Sequence, residues 1–222
     1  MAFFHDKINE IKQKGPVDIL NFKFNQKLVS IRMADDSDET INLLTKWRRE
    51  NWNWFDSKFN VTFDGTKNWL EERIFKNPDR ILFLIIYDGI KIGQYGMSEY
   101  NEKNNFVWLG DLIKGEPNTA PGIMQYVDKI FIKWVFDTFK INTIRGKVFS
   151  DNFRTFNLHD KAGWVMINNI PLKRKYTDDG WIWEKMELKS EEEYGERYFN
   201  IIEITKKRLM EKFGELEFQY LI

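Results

Sequence analysis

The sequence predicts a mixed α/β (α+β) fold, a mostly antiparallel central sheet flanked by helices. Three observations carry that prediction. Arg80–Tyr87 is almost wholly apolar and is followed by Asp88-Gly89, a pair that favours a tight hairpin turn. Gly122–Phe139 places Ile123, Tyr126, Val127, Ile130, Phe131, Trp134 and Val135 at helical spacing. Beyond it, strand-like and helix-like segments alternate, the pattern of a sheet with helices on its faces.

The elements follow in order. Residues 1–14 read as a short amphipathic helix stopped by Gly15-Pro16. Val17–Phe24 and Leu28–Met33 read as a hairpin about Asn25-Gln26. Asp36–Glu39 caps a helix with the body INLLTKWRRENW, Phe63–Gly65 breaks the chain, and TKNWLEERIFKN is a second helix ending at Pro78. Arg80–Tyr87, Lys91–Tyr100 and Asn104–Ile113 are three successive strands, and a Gly- and Pro-bearing loop leads into the 122–139 helix. Asn142–Phe149 is a strand, and Ser150-Asp151-Asn152 caps a helix that Gly163 stops after Ala162. Trp164–Ile170 and Trp181–Leu188 are strands. SEEEYGERYFNIIEITKKRLMEKFG, acidic at its start and basic later, is read as a C-terminal helical extension.

Composition narrows the function. The 222 residues suit one domain with an appendage, and 34 basic against 34 acidic side chains give none of the basic excess of a nucleic-acid or anionic-membrane binder. There is no cysteine, which removes disulfides, thiolate nucleophiles and thiolate-held zinc, and two histidines leave no multi-histidine metal site. No signal-peptide pattern and no bilayer-length apolar run is present, so a soluble cytoplasmic protein is expected. Motifs G-x-G-x-x-G, G-x-x-x-x-G-K-[ST] and G-x-S-x-G are absent. Aromatic residues reach 16%, which is read as a split between core packing, compositional bias and a ring-stacking site.

Three stretches carry a resemblance over roughly residues 28–188. SDNFRTFNLHDKAGW, 150–164, is similar to Asn-x-x-Ala-x-x-Leu-Tyr-x-Lys-x-Gly-Phe, with Asn152, Thr155, Leu158, Lys161, Gly163 and Trp164 on its marked places. TAPGIMQYVDKIFIKWVF, 119–136, resembles a phosphate loop of the form Arg/Gln-x-x-Gly-x-Gly/Ala entering a long helix; Thr119 and Met124 depart from it. KWRRENW, 46–52, resembles the opening helix of enzymes that acetylate amino sugars or protein N-termini. Together they resemble the GNAT family, the acyl-CoA-dependent N-acyltransferases.

The resemblance implies a GNAT domain over 28–188, an N-terminal extension at 1–27 and a helical tail at 189–222, read as an oligomerisation element that would build a homodimer. It implies acetyl-CoA as cofactor, held by Leu112, Ile113, Thr119, Ala120, Gly122, Ile123, Met124, Asn152, Thr155 and Lys161. A loop entering a helix N-terminus suits a pyrophosphate on its own physics, through unpaired amides and the positive dipole end. His159 stands where the family carries the Tyr that protonates the departing thiolate, and imidazole is able to donate to the same sulfur. Glu99 and Asp111 are the two candidate bases for the amine proton; neither is preferred by the sequence. Asp111 lies on an apolar strand face, where burial raises a carboxyl pKa towards neutrality.

Direct attack by a neutral primary amine, with no covalent enzyme intermediate, agrees with the absence of cysteine. For the acceptor, Trp47, Arg48, Arg49 and Trp52 point to a nucleotide-linked aminodeoxy sugar, the arginines pairing phosphate and the indoles stacking on rings. That pattern looks most like the N-acetyltransferase of pseudaminic acid synthesis. The alternatives are a protein N-terminal amine, as in ribosomal-protein acetyltransferases, an aminoglycoside, and a catalytically silent GNAT-fold binding module.

Overall fold

The computed structural model describes residues 2–187 and 193–214. Helix α1 (Ala2–Lys14) leads into the hairpin β1 (Asp18–Phe24) and β2 (Lys27–Met33), whose turn residues Asn25 and Gln26 both take positive φ. Ser37 caps α2 (Asp38–Glu50), its hydroxyl accepting from the Thr40 amide. A single 3₁₀ turn and the short strand β3 (Ser57–Phe59) precede α3 (Phe63–Trp69), which runs on as a π-helical turn over Leu70–Phe75. Phe63–Gly65, expected to break the chain, instead opens α3, because Thr62 supplies an N-cap to the Gly65 amide.

Next come β4 (Ile81–Tyr87), β5 (Ile90–Asn101) and β6 (Phe106–Lys114), then α4 (Ile123–Phe139), β7 (Thr143–Phe149) and α5 (Phe153–Ala162). Strands β8 (Val165–Thr177) and β9 (Gly180–Lys185) form a long hairpin. The tail does not stay helical. Arg197–Thr205 is a strand, β10, and only Lys206–Phe213 forms a helix, α6. RYFNIIEIT is rich in aromatic and β-branched residues, which pack on a pleated surface better than on a helix. The charge asymmetry that suggested a helix belongs to the flanks of this strand. The expected tail stretches 188–192 and 215–222 lie outside the described residues.

The described strands form one sheet in the order β1-β2-β4-β5-β6-β7-β10-β8-β9-β3. All neighbours are antiparallel except β6 and β7. Strand β10 lies between β7 and β8 and bonds to both. Burial along β4 explains its apolar sequence. Ile81, Phe83, Ile85 and Tyr87 join the core beneath α1 and α4, while Leu82, Leu84 and Ile86 join the core beneath α2 and α3. With both faces covered, the strand has no solvent side on which to carry polar residues.

Trp47 is fully buried in the α2 core and lies against Gly115, just beyond β6. A Cβ on Gly115 would overlap the indole ring. The indole Nε1 donates to Glu116 Oε1 at 3.1 Å, and Lys46 Nζ donates to the same oxygen at 2.8 Å. This pair of contacts fastens α2 to the end of β6. We therefore expect Gly115→Ala to cost about 1–3 kcal/mol by overpacking. At about 2–4 °C per kcal/mol for a chain of this size, a thermal melt resolves the loss; an unchanged midpoint would contradict this packing.

Candidate active site

The site begins with an irregularity in β6. Gly96 of β5 faces Gly110, and Gln94 faces Ile113, so three steps on β6 span two on β5. The extra residue is taken up as a β-bulge in which Asp111 adopts φ 53°. Gly96 makes room for it: a Cβ there would lie 3.0 Å from Asp111 Oδ2. On its other edge β6 pairs with β7 only from Phe106↔Thr143 to Trp108↔Arg145. Past that point the two strands share no ladder, and a cleft of about 230 Å³ opens between them.

Leu112, Ile113, Lys114 and Met124 line this cleft on one side, and Asn152, Thr155 and His159 on the other. Beneath it, Ala120 (φ 45°) and Gly122 (φ 84°) turn the chain into α4 with two left-handed residues flanking Pro121. Ile123 N–H donates to Ala120 O, and Gln125 N–H to Gly122 O, both at 3.2 Å. The amides of Ala120, Gly122 and Met124 find no partner among the described residues. Such a turn, with unpartnered amides at a helix N-terminus, has the chemistry of an anion cradle.

Three cations not singled out from the sequence also line the cleft: Lys114, Lys147 and Arg154. Lys114 Nζ reaches back to Pro117 O at 3.0 Å and Ala120 O at 3.4 Å, bracing the loop. Burial and the Arg154 charge push the Lys114 ammonium below its usual range, so a bound anion would relieve it. No linear motif marks these residues; they are brought together by the end of β6, β7 and the first turn of α5.

Asn152 is the N-cap of α5, accepting from the Thr155 amide at 3.2 Å, and both residues border the cleft. Ile123 is wholly buried in the core, so its side chain is not a ligand. Thr119, Ala120, Gly122 and the exposed Lys161 border neither cavity described here. His159 is 6% exposed and its Nδ1 lies 3.0 Å from Asp128 Oδ2.

Behind the bulge is a second cavity of about 350 Å³. Asp111, Ile113 and Phe55 border both cavities, so the two meet at the bulge. The Asp111 side chain is 27% exposed and lies 3.8 Å from Arg80 Nη2. Burial pushes its carboxyl above the usual carboxylate range, against the pull of Arg80 and Arg48. Arg48, Arg73 and Arg80 line this cavity together with Phe59, Trp69 and Asp56. Arg48 is braced by Ser57 O and Oγ at 3.2 and 3.0 Å and stacks 3.5 Å from the Phe55 centroid. Arg73, on the π-helical turn, has no hydrogen-bond or ion-pair partner among the described residues. Arg80 has only its distant pairing with Asp111.

Other expected site residues fall elsewhere. Trp47 is core, because Gly115 leaves its ring a slot that only an indole-sized group fills. Arg49 points away and donates to Val61 O at 2.7 Å. Trp52 is 56% exposed and borders neither cavity; Lys58 bonds its carbonyl. On a helix, successive residues 47, 48 and 49 face in different directions, so one cavity wall takes only one of them. Glu99 is exposed on a second irregularity near the end of β5, with φ 54°, and borders neither cavity.

A model of the acetyltransferase (GNAT) domain matches residues 28–165 of this chain. The chain belongs to the GNAT family. No curated protein matches it by sequence. Among solved structures it is similar to the spermidine N-acetyltransferase of Vibrio cholerae in complex with CoA and spermine. That likeness has a TM-score of 0.63 at 12% identity, covering 82% of this chain and 98% of the other. It is also similar to the N-acetyltransferase PseH of Campylobacter jejuni, with a TM-score of 0.52 at 17% identity, covering 79% and 98%. At these identities the likeness is one of fold.

As a GNAT acetyltransferase the protein uses acetyl-CoA to acylate amines. The residues present fit that donor: Lys114, Lys147, Arg154 and Met124 border the cleft, and the turn at Ala120–Gly122 leading to Met124 leaves amides unpartnered among the described residues, which together supply the donors and positive charge a pyrophosphate needs. Removing Lys114 and Arg154 together (Lys114→Ala with Arg154→Ala) is expected to weaken CoA binding by about tenfold or more. That corresponds to one lost charge-assisted contact of about 1.5 kcal/mol. Calorimetric titration at two salt concentrations checks this, and the variant's affinity should also depend less on salt.

Proposed function

We propose that the protein transfers the acetyl group of acetyl-CoA directly to a primary amine, with Asp111 as the base and His159 as the proton donor to the leaving sulfur. The observation that carries this reading is the meeting of two cavities at one bulge. A donor in the β6–β7 cleft and an acceptor in the arginine-lined cavity would face each other across Asp111. Asp111 takes the ammonium proton, freeing the lone pair for attack. The backbone of Leu112 and Ile113, past the last β6–β7 pair, offers amides to the thioester oxygen and the pantetheine arm.

A base must be ionised to act. Because burial raises the Asp111 carboxyl, activity should fall on acidification at a higher pH than an ordinary carboxylate would give. Asp111→Asn should lower kcat by about 10²–10⁴-fold and abolish that acid limb. A variant with wild-type turnover and pH profile would remove Asp111 from the reaction.

For the acceptor we propose a nucleotide-linked aminodeoxy sugar. Three arginines bordering one cavity repel a polyamine and suit a phosphate-bearing molecule, while Phe55, Phe59 and Trp69 offer ring faces. Arg73 and Arg80, whose side chains have no hydrogen bond among the described residues, replace Arg49 as the expected phosphate ligands. Thiol release from acetyl-CoA is measured across UDP- and dTDP-linked amino sugars, spermidine and N-terminal peptides. Release is expected with the nucleotide sugars, and Arg73→Ala with Arg80→Ala should raise their KM by about tenfold. Release with spermidine or peptide alone would overturn the acceptor class, and no acetyl-CoA thermal stabilisation would favour a silent binding module.

A further inference from the structure

We infer that Asp128, buried in the middle of α4, positions His159 for proton transfer by holding Nδ1–H, so that Nε2 is the nitrogen that takes up a proton and gives it in the cleft. The inference deepens the reading of His159 as the proton donor and rests on it. Asp128 is wholly buried, on a helix face it shares with Met124, Val127, Phe131 and Val135. A carboxylate there costs several kcal/mol unless its oxygens are bonded, and an apolar residue of similar size would avoid that cost. Both oxygens are bonded. Tyr95 donates its hydroxyl to Oδ1 at 2.7 Å, and His159 Nδ1 lies 3.0 Å from Oδ2. Burial, with the Asp128 charge, pushes the Tyr95 phenol well above its ordinary value, so it stays a donor.

A carboxylate only accepts, so it selects the tautomer with the proton on Nδ1. Nε2 is then the nitrogen left for the cleft that His159 borders. The ring is held edge-to-face on Trp164, at 5.1 Å between centroids and 62° between planes. The charged groups around the ring come from every side. Lys114, Lys147 and Arg154 border the same cleft and oppose a protonated imidazole. On the α6 side, Arg208 and Lys212 are engaged with the carbonyls of Gly163 and Asp160. Next to His159 on α5, Asp160 and Lys161 are exposed to solvent. Asp128 is the carboxylate bonded to the ring, and it balances the charge of the imidazolium.

In the transfer, the neutral amine, whose ammonium proton Asp111 has taken and passed to solvent, forms the new N–C bond, and Asp111 then accepts the second nitrogen proton. The C–S bond breaks with its electron pair left on sulfur, and His159, having taken up a proton on Nε2 as the imidazolium, gives that proton to the sulfur. His159 is left neutral, with Nδ1–H still on Asp128, and is recharged from solvent. Asp128 touches no reacting atom; it acts through His159.

The test uses the full chain without acetyl-CoA. The chain has only two histidines, so ¹⁵N spectra of the imidazoles are simple, and His5→Gln assigns them. Wherever the ring is neutral in the wild-type spectra, His159 should carry its proton on Nδ1. In Asp128→Asn the Tyr95 hydroxyl holds the amide oxygen, which turns the amide NH₂ towards Nδ1. The tautomer should then flip to Nε2–H, and kcat should fall by about 10²-fold or more with the acetyl-CoA KM within about twofold. An Nε2–H tautomer in the wild type, or an Asp128→Asn variant that keeps both spectrum and kcat, overturns the inference. His159→Gln separates the two levels. Wild-type turnover in that variant removes His159 as donor and the inference with it; a slow His159→Gln beside an unaltered Asp128→Asn removes Asp128 alone.

Discussion

Between β5 and β6 three residues are spanned by two, and three residues earlier β6 lets go of β7. A sheet resists both changes, because each strands backbone groups that a continuous ladder would pair. Here the two coincide. The bulge turns Asp111 over Gly96 and into the seam between two cavities. The lost pairing leaves the β7-facing edge of Leu109–Lys114 without a strand partner, while its other edge stays paired with β5. Every other part of the site is arranged around that break. The turn into α4 lies near it, α5 lines the cleft with Asn152, Thr155 and His159, and the arginine-lined cavity meets it at Asp111.

Such a break survives because the surrounding sheet is held on both faces. β4, next but one, is buried along its whole length by two independent helical layers. Strand β10, inserted between β7 and β8, gives β7 a full ladder on the edge away from the cleft. Trp47 and Glu116 tie α2 to the residues just after β6. The strained residues, Asp111, Ala120 and Gly122, are thus over-determined by neighbours that do not themselves bend.

Charge is handled locally. The balanced total conceals a cleft bordered by three cations and a second cavity bordered by three arginines. The π-helical turn matters here, because its extra residue per turn changes the direction in which α3 presents its side chains, and Arg73 lies within it. The carboxylates that oppose these charges are few and separately employed. Asp111 stands at the junction of the cavities, and Asp128 is sealed in the core with Tyr95 and His159.

Much of this was legible in one dimension. The strands about Asp88-Gly89, the long α4 and the capped α5 follow from short-range signals: turn chemistry, apolar period and caps. The turn into α4 and the place of His159 on α5 were legible because their residues are contiguous with those elements. What stayed hidden involves partners far apart in the chain. Strand β10 was read as helix because its identity depends on β7 and β8 on either side of it. Trp47 was read as a ligand because nothing in KWRRENW reveals a glycine slot at Gly115. Arg73, Arg80, Lys114, Lys147 and Arg154 form no motif, and Asp128 looks like any polar residue of a helix until Tyr95 and His159 close on it. The sequence by itself determined where each element forms and which family of folds it builds, since those depend on neighbours within a few residues. Only the tertiary structure decided which side chains share a cavity, because that depends on strand order, one extra residue in β6 and the direction each helix face is turned.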